Sequence, residues 1–471
     1  MRVSPARLDG DPRAFHTEEE ITALKKEKDM IAFLASRRAK QVATRTRRYQ
    51  KKNPKAGAGR EVTYEKEPPD IQGKMRAARE KEWANWQKYT NGKWITEAEF
   101  KEMQRKDPKL KAIPTRWVET NKAEIGEPAV MKSRIVVRGD LEDSSKMRTD
   151  SPTVSQVMIA TTMCLAACRD TDVWAGDISA AFLQGSAMDR TLVLKMPKGP
   201  PGGDPPGDYY VVTSTVYGTK DAPKGWYKNL HQTMIQKGFK AVPHEAAAYS
   251  LVNDKGELEG LAIVHGDDLL WTGGAEVERR MQEVCDVYKF GKVEKNVFKY
   301  CGRDVVKDKD GIHITCPNLI DRVRPIYMTA EERKKKEAKI TEVHRQQLRS
   351  IIGSLAWLAR VCRPDLAYAV SKLQSNVHTA TFEDIGYANT VIVIAHKTKT
   401  AGIHYPLQAF RFEDAVISGL QDSSFANDGI NAGQMVRQQR VTNLFCLKPP
   451  YLLPHSTQID RQPLVPNSVK T

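Results

Sequence analysis

The sequence has no long hydrophobic run and no cysteine framework. No apolar stretch approaches the about 18 residues of a membrane span, and the N-terminal residues lack a signal peptide's apolar core. The seven cysteines are odd in number and form no C-x-x-C pair, which argues against both a disulfide framework and a zinc site. We therefore expect a soluble protein of a reducing compartment, the cytosol or the nucleus, with no membrane partner.

Acidic residues are scarce in one part of the chain. The whole sequence has 74 basic and 58 acidic residues, for a net charge of +16, but residues 31–60 contain ten Lys or Arg and no acid. Such an excess favours a polyanionic partner, although charge alone does not separate nucleic acid from acidic lipid. We interpret residues 1–71 as a basic, largely disordered arm. It either binds a template loosely or targets the nucleus, or it is only a solvated linker.

The most informative stretch is an apolar hairpin over 261–271 that carries two adjacent acids, Asp267 and Asp268. Gly266 supplies the backbone freedom of a tight turn. An acid pair at a turn is often only solvated, but a third acid, Asp177, stands at the end of another apolar strand over 172–177. Three carboxylates that converge from two segments are suited to Mg²⁺, which prefers oxygen ligands.

At this point the chain resembles the reverse transcriptase of copia-type retrotransposon Pol polyproteins. The resemblance rests on blocks that occur in the family's order. They are K-S-R-I-V-V-R-G at 132–139, S-P-T-V at 151–154, D-I-S-A-A-F-L-Q-G at 177–185, V-Y-G-T-K-D-A-P-K-G-W at 216–226, H-G-D-D at 265–268, I-G-S-L-A-W at 352–357 and R-P-D-L at 363–366.

The resemblance implies an α+β fold, a right-hand polymerase with fingers, palm and thumb whose palm is an antiparallel sheet packed with helices. It places the fingers and palm at 72–325, the thumb or connection at 326–410, the truncated start of a ribonuclease H-like segment at 411–430 and an irregular tail at 431–471. Asp422 matches the first metal ligand of that ribonuclease H, but the family's later carboxylate block is missing. We expect the nuclease to be absent or inactive.

The resemblance also assigns roles to single residues. Asp177, Asp267 and Asp268 would hold two Mg²⁺ ions, or Mn²⁺ in their place. Nucleotide-binding roles fall to Lys132, Arg134, Phe182, Lys224 and Gly225, and template or primer contacts to His265, Gly266, Trp226 and Gly302. The partners would be an RNA template, a DNA or RNA primer, dNTPs and other products of the Pol polyprotein.

Phe182 discriminates between polymerase classes. A Gly-Asp-Asp turn also marks viral RNA-dependent RNA polymerases, which need a hydrogen-bonding group near this position to accept ribose. In the resembling family an aromatic here excludes the ribose 2′-hydroxyl by steric clash, so DNA synthesis is favoured. At the turn, His265 and Gly266 replace the family's Tyr and its Val or Met. A rival hypothesis is therefore a decayed or domesticated remnant that binds nucleic acid without catalysis.

Periodicity and turn residues predict the elements between these motifs. The helix that opens at Ser151 should bury an apolar stripe that includes Val154, Val157 and Leu165. Three tryptophans, Trp83, Trp86 and Trp94, should anchor the first helix. Helices are predicted over 72–112, 151–168, 275–289 and 351–374, and further strands at 117–120, 129–137, 299–306 and 312–315.

Overall fold

The structure is a computed structural model that describes residues 61–90, 92–123, 128–142, 149–185, 187–197, 207–414, 416–421 and 442–447. For residues 187, 189, 416–421 and 442–447 the backbone alone is described. Of the basic arm predicted over 1–71, residues 1–60 lie outside the described residues, so the prediction stays open there, whereas residues 61–71 include a short strand, a 3-10 turn and the start of a helix.

The helices are most concentrated between residues 317 and 397. None of the described helices is long and apolar enough to cross a membrane. Short 3-10 segments occur at Tyr64–Lys66, Gly139–Leu141, Ala181–Gln184, Pro364–Leu366 and Phe412–Asp414. The α-helices are α1 (Pro69–Tyr89), α2 (Glu97–Lys106), α3 (Gln156–Arg169), α4 (Ala222–Gln236), α5 (Ala275–Val287), α6 (Pro317–Arg322), α7 (Ala330–Lys334), α8 (Glu342–Val361), α9 (Ala367–Asn376) and α10 (Phe382–Lys397).

The strands form three larger sheets and one hairpin. They are β1 (Glu61–Val62), β2 (Lys93–Ile95), β3 (Ala112–Asn121), β4 (Met131–Val137), β5 (Val173–Ile178), β6 (Ala187–Lys195), β7 (Tyr209–Ser214), β8 (Lys240–Val242), β9 (Glu245–Val252), β10 (Leu258–His265), β11 (Asp268–Gly273), β12 (Phe290–Lys295), β13 (Val297–Tyr300), β14 (Arg303–Lys307), β15 (Gly311–Thr315), β16 (Ile403–Pro406), β17 (Val416–Gln421) and β18 (Thr442–Leu447).

The central sheet has six strands in the order β12-β5-β11-β10-β9-β8, and all of its pairings are antiparallel. The middle strands β10 and β11 are apolar over most of their length, and the consecutive residues 260–264 are all buried, so both faces are covered there. Ala262, Ile263, Leu269 and Leu270 are all buried in the main core, to which α3, α4 and α5 contribute. The predicted α+β class, with an antiparallel sheet packed against helices, is confirmed.

A second sheet, β1-β3-β6-β7-β2 with β4 on β3, packs against α1. The predicted tryptophan anchors are confirmed, since Trp86 is fully buried and Trp83 and Trp94 pack around Tyr210. The single helix predicted over 72–112 is wrong. The chain is already regular at β1, α1 begins at Pro69, and the segment then breaks into β2, α2 and the start of β3. Thr96 makes a capping box with Glu99, which starts a new helix there.

Helix α3 begins later than the sequence pattern predicts. Its N-cap is Ser155, whose side chain accepts a hydrogen bond from the Met158 N–H at 3.1 Å, and not Ser151. Val154 precedes the helix and donates its N–H to Val264 O at 3.1 Å, so it belongs to the sheet side of the core. Val157 is 50% exposed and is not part of the predicted apolar stripe.

The strand predicted over 299–306 is two strands. Cys301 and Gly302 both have positive φ angles, +47° and +78°, and form a tight turn between β13 and β14. A Gly at such a position is a hairpin signal. These strands, with β15 and β16, form a four-stranded sheet, and the interruption of the next helical region at Arg363-Pro364 is confirmed by the break between α8 and α9.

The last described element is the hairpin of β17 and β18. The sequence predicts an irregular tail from 431 onward, but Thr442–Leu447 is a strand that pairs with Val416–Gln421. This segment contains none of the prolines that break up the rest of the tail. Asp422 lies outside the described residues, so its assignment to a ribonuclease H remnant stays a prediction.

Candidate active site at the acidic turn

Three aspartates meet at one edge of the central sheet. Asp177 on β5 pairs in register with Asp268, the first residue of β11, and Asp267 is in the turn that precedes it. A carboxylate oxygen from each of Asp177, Asp267 and Asp268 lies within 4.8 Å of the others. The structure therefore brings together the three acids that the sequence singles out, although 90 positions separate the first from the second.

Hydrogen bonds from two directions fix the turn that carries the acid pair. His265 pairs with Asp268 in the register of the hairpin, which leaves Gly266 and Asp267 as the turn. Trp226 donates its indole Nε1–H to the Gly266 carbonyl at 2.8 Å, and Ile178 donates its N–H to the Asp267 carbonyl at 3.0 Å. Both carbonyl groups of the turn are thus anchored, one to α4 and the other to β5.

Glycine suits position 266 because of its backbone conformation, and not because a side chain would clash there. Its φ is +69°, in the left-handed region that favours glycine, while a Cβ at this position would meet nothing within 4 Å. The replacement of a larger residue by Gly266 therefore suits the turn and leaves open space beside it.

The negative charges of the three aspartates repel one another. Partial burial, followed by repulsion from Asp267 and Asp177, raises the pKa of Asp268 to about 6. Desolvation and the charge of Asp267 also raise the pKa of Asp177. Carboxylates at this separation resist simultaneous ionisation unless a cation shares them. The three carboxylates could therefore hold a cation between them.

Two basic residues from the second sheet approach the acids. Lys132 and Arg134 are on β4, where Ser133, Ile135 and Val137 are buried, so the predicted alternation of faces is confirmed. Desolvation and the nearby Arg134 lower the pKa of Lys132, while the carboxylates of Asp177 and Asp267 act in the opposite direction. The Lys132 ammonium group therefore lies close enough to Asp177 and Asp267 to interact with their charges.

Arg134 and Phe182 meet at Tyr217. The Arg134 guanidinium lies 5.4 Å from the centroid of the Tyr217 ring, and its Nε is buried without a hydrogen-bond partner among the described residues. Phe182 packs edge-on against the same ring at 5.9 Å. Thr215 fixes the backbone of Phe182 by donating to its carbonyl at 2.7 Å. The aromatic pair forms a wall beside the segment that follows Asp177.

Helix α4 packs beside the acidic turn. Its Trp226 does not lie where the predicted template or primer contact requires it. Trp226 is 1% exposed and acts through its bond to the turn, so the structure places it in the core and not at a template surface. A Cβ on Gly225 would lie 2.6 Å from Thr215 Cγ2, which makes Gly225 a close-packing position. Lys224 is half-buried at the start of the same helix.

The remaining predicted contact residues line the approach to the acids. His265 is exposed at the end of β10. Gly302 is in the turn between β13 and β14, where an added Cβ would lie 3.1 Å from the Trp357 ring of α8. The contact of His265 and Gly302 with nucleic acid stays a prediction.

Sequence reasoning missed three residues that shape the site. Gly291 on β12 leaves room beside Asp177, since a Cβ there would lie 3.1 Å from Oδ2 of that acid. Ala180 has a φ of +55° and turns the chain out of β5 toward Phe182. Glu82 of α1 is buried under β4. A lone Gly, Ala or Glu has no motif of its own, so no sequence signal points to them.

Comparisons with known proteins agree on one family. Residues 102–336 match the family described as "Reverse transcriptase (RNA-dependent DNA polymerase)". The chain is 24% identical over 341 residues to the Retrovirus-related Pol polyprotein from transposon RE2 of Arabidopsis thaliana. This match covers 68% of this chain and 23% of that protein. The chain is also 24% identical over 243 residues to a putative transposon Ty5-1 protein of Saccharomyces cerevisiae, covering 49% of this chain and 78% of that protein.

Among solved structures, the foamy viral protease-reverse transcriptase in complex with double-stranded DNA matches with a TM-score of 0.41 and 12% identity, over 70% of this chain and 52% of that chain. The Retrovirus-related Pol polyprotein from transposon TNT 1-94 of Nicotiana tabacum is 22% identical over 336 residues, which is 63% of this chain and 24% of that protein. The chain thus spans about a quarter of the length of these plant relatives.

Proposed function

We propose that this chain, which belongs through residues 102–336 to the reverse transcriptase family of copia-type Pol polyproteins, is an RNA-directed DNA polymerase. The observation that carries the proposal is the convergence of Asp177, Asp267 and Asp268, whose ligand atoms lie within 4.8 Å of one another. Phosphoryl transfer needs positioning and charge neutralisation more than covalent chemistry, and a cluster of three acids provides the place for both.

The donor set fits hard divalent cations. All three ligands are carboxylates, and their mutual repulsion is relieved when a cation binds between them. Reverse transcriptases in general use divalent metal ions, and we assign these residues to two Mg²⁺ ions, with Mn²⁺ as a substitute. When bound, such ions supply Lewis acidity and neutralise phosphate charge.

The chain's own residues would orient the nucleotide. Lys132 and Arg134, on the strand that faces the acids, bind the triphosphate through their positive charges. Phe182, whose ring packs edge-on against Tyr217, excludes a ribose 2′-hydroxyl by steric clash, and the Tyr217 contact supports this role by holding the ring in place. The substrates are therefore dNTPs, added to the 3′-end of a DNA or RNA primer on an RNA template.

Charge supports a nucleic-acid partner. The net charge of +16 favours binding to a phosphate backbone, which depends on salt and does not read sequence. Binding of this kind is also what the rival remnant hypothesis requires, so only a measurement of catalysis separates the two.

The test is extension of a primed RNA template with dNTPs and Mg²⁺. We expect extension by the full chain, and a loss of at least about 100-fold in Asp268→Asn, because one ligand charge is removed. Asp254→Asn, at an exposed turn between β9 and β10, is the matched control and should extend normally. Normal extension by Asp268→Asn would refute the metal assignment. Salt-sensitive binding of an RNA–DNA duplex by the full chain without extension would select the non-catalytic remnant.

A further inference from the structure

A second group of ligand atoms lies beside the acidic turn. His265, Asp268 and Cys301 each offer one ligand atom, and these three atoms lie within 4.8 Å of one another. The donors are an imidazole nitrogen, a carboxylate oxygen and a thiol sulfur. The set therefore differs in kind from the three carboxylates of Asp177, Asp267 and Asp268.

Two tight turns bring these donors together. His265 and Asp268 flank the turn between β10 and β11 as a paired position of the hairpin. Cys301 is in the turn between β13 and β14, which is flanked by Tyr300 and Arg303, 1% and 2% exposed. The buried flanking residues fix the thiol of Cys301 against the end of the central sheet. The imidazole of His265 is exposed and has room to adjust its position.

The chemistry of this set selects a borderline-soft ion. Zn²⁺ binds nitrogen and oxygen ligands at about 2.0–2.2 Å and sulfur at about 2.3 Å in a tetrahedron, so its ligand atoms stand roughly 3.5 Å apart. The three atoms reach that spacing when they close by about 1 Å or slightly more, and water completes the tetrahedron. Mg²⁺ and Ca²⁺ prefer oxygen and gain nothing from a thiol.

We propose that His265, Asp268 and Cys301 form a Zn²⁺ site that shares Asp268 with the acid trio. Binding replaces the S–H proton of Cys301 by the metal and releases that proton to solvent, with no change in oxidation state. Because one carboxylate serves both sites, a Zn²⁺ ion held by the nitrogen and sulfur ligands draws Asp268 away from the trio. This consequence, which rests on the proposed polymerase function, is inhibition by Zn²⁺.

Co²⁺ reports the site without any need for catalysis. The full chain is titrated with Co²⁺ in excess Mg²⁺, and the thiolate-to-cobalt charge-transfer band is recorded in the near ultraviolet. We expect a band that Cys301→Gly abolishes, and that Zn²⁺ removes by displacement. Cys301→Gly relieves a positive φ, so the loss of the band is separable from a loss of folding, which circular dichroism checks. His265→Ala should weaken Co²⁺ binding by roughly tenfold or more.

Other thiols and the acid trio provide the controls. Cys164 and Cys168 have their sulfurs 3.9 Å apart on α3, and Cys285 is half-buried on α5. The band should persist in Cys164→Ser, in Cys285→Ser and in Asp177→Asn, which removes a ligand of the trio alone. A band that survives Cys301→Gly, one that disappears in Cys164→Ser or Asp177→Asn, or no band in the unmodified chain would overturn the proposal.

The inhibitory consequence is measured separately. In primer extension at fixed Mg²⁺, the Zn²⁺ concentration for half-inhibition should rise by about tenfold or more in Cys301→Gly, each variant being compared with its own rate without Zn²⁺. Equal inhibition of both proteins would refute the shared role of Asp268. If the unmodified chain does not extend a primer, the proposed function fails, whereas the Co²⁺ band still decides whether the metal site exists.

Discussion

The pH dependence of stability should be dominated at neutral pH by a buried acid outside the acidic turn. Glu82 of α1 is 6% exposed, and its Oε1 accepts hydrogen bonds from the Trp86 indole N–H at 3.1 Å and from the Ile135 N–H at 3.3 Å. It therefore ties α1 to β4, the strand that carries Lys132 and Arg134. Burial raises the pKa of Glu82 to about 7, although those hydrogen bonds and the two cations act against the rise.

The sign of the effect follows from proton linkage. Between the ordinary pKa of 4.5 and about 7, the folded chain retains a proton on Glu82 that the unfolded chain has lost. The free energy of unfolding therefore falls as the pH rises through this window, because the folded state must either keep the proton or bury a charge. At about 1.4 kcal/mol per unit of pKa, the loss between pH 5 and pH 8 is about 2–3 kcal/mol.

Glu82→Gln removes this dependence. The amide keeps an oxygen for both hydrogen-bond donors and stays neutral, so the variant should gain about 2–3 kcal/mol over the unmodified chain between pH 5 and pH 8. Urea unfolding followed by tryptophan fluorescence measures the difference at the two pH values, and Glu80→Gln, exposed on the same helix, is the control. The difference in the free energy of unfolding between Glu82→Gln and the unmodified chain should therefore change between pH 5 and pH 8. If it stays constant, Glu82 is ionised in the folded state and the reasoning is refuted.

Three further substitutions test the supports of the site. Trp226→Phe leaves the Gly266 carbonyl without its donor, which should cost about 1–3 kcal/mol in urea unfolding and lower the extension rate. Phe182→Ala opens the wall beside Tyr217 and should raise incorporation of rNTPs relative to dNTPs by roughly tenfold or more, measured as a ratio of kcat/KM values. Arg363→Lys loses the two-point contact of a 2%-exposed guanidinium with Asp365, at 2.9 and 2.7 Å, and should cost about 2–3 kcal/mol in the same unfolding assay.

The acid trio could be predicted from sequence because residue type and strand pattern point to it together. Asp267 and Asp268 interrupt a long apolar hairpin, and the third acid, Asp177, distinguishes them from a solvated acid pair at an ordinary turn. Asp177 ends a second apolar strand, and antiparallel pairing then places it opposite Asp268. The family blocks supplied the order of the segments, so the α+β class could be predicted before any pairing was known.

Element boundaries were harder to predict because they depend on tertiary partners. The 72–112 region has enough helix-forming residues for one helix, but Trp94 pairs with Tyr210 of β7 and so becomes part of a strand. Ser151 and Ser155 are equal as N-caps in the sequence, and the hydrogen bond from Val154 to Val264 decides between them. Local propensity contains neither of these facts.

The His265, Asp268 and Cys301 cluster shows a limit of spacing rules. A C-x-x-C search detects metal sites whose ligands share one loop, and its failure argued against zinc. These ligands come from the ends of three strands, and Cys301 reaches the others only because β13 and β14 turn beside the central sheet. No pattern within a single segment predicts such a juxtaposition.

The residues that hold the acidic turn bind its backbone, whereas its chemistry depends on side chains. Trp226 and Ile178 act on the carbonyl groups of Gly266 and Asp267, and every residue type has such a carbonyl. Each of these carbonyls accepts a hydrogen bond from a protein donor, whereas the carboxylates of Asp177, Asp267 and Asp268 lie within 4.8 Å of one another as possible ligands. Carboxylates alone favour a hard ion, whereas a nearby nitrogen and sulfur favour a softer one. On the two proposed assignments, the preference between Mg²⁺ and Zn²⁺ depends on which neighbouring side chains bind the ion together with Asp268.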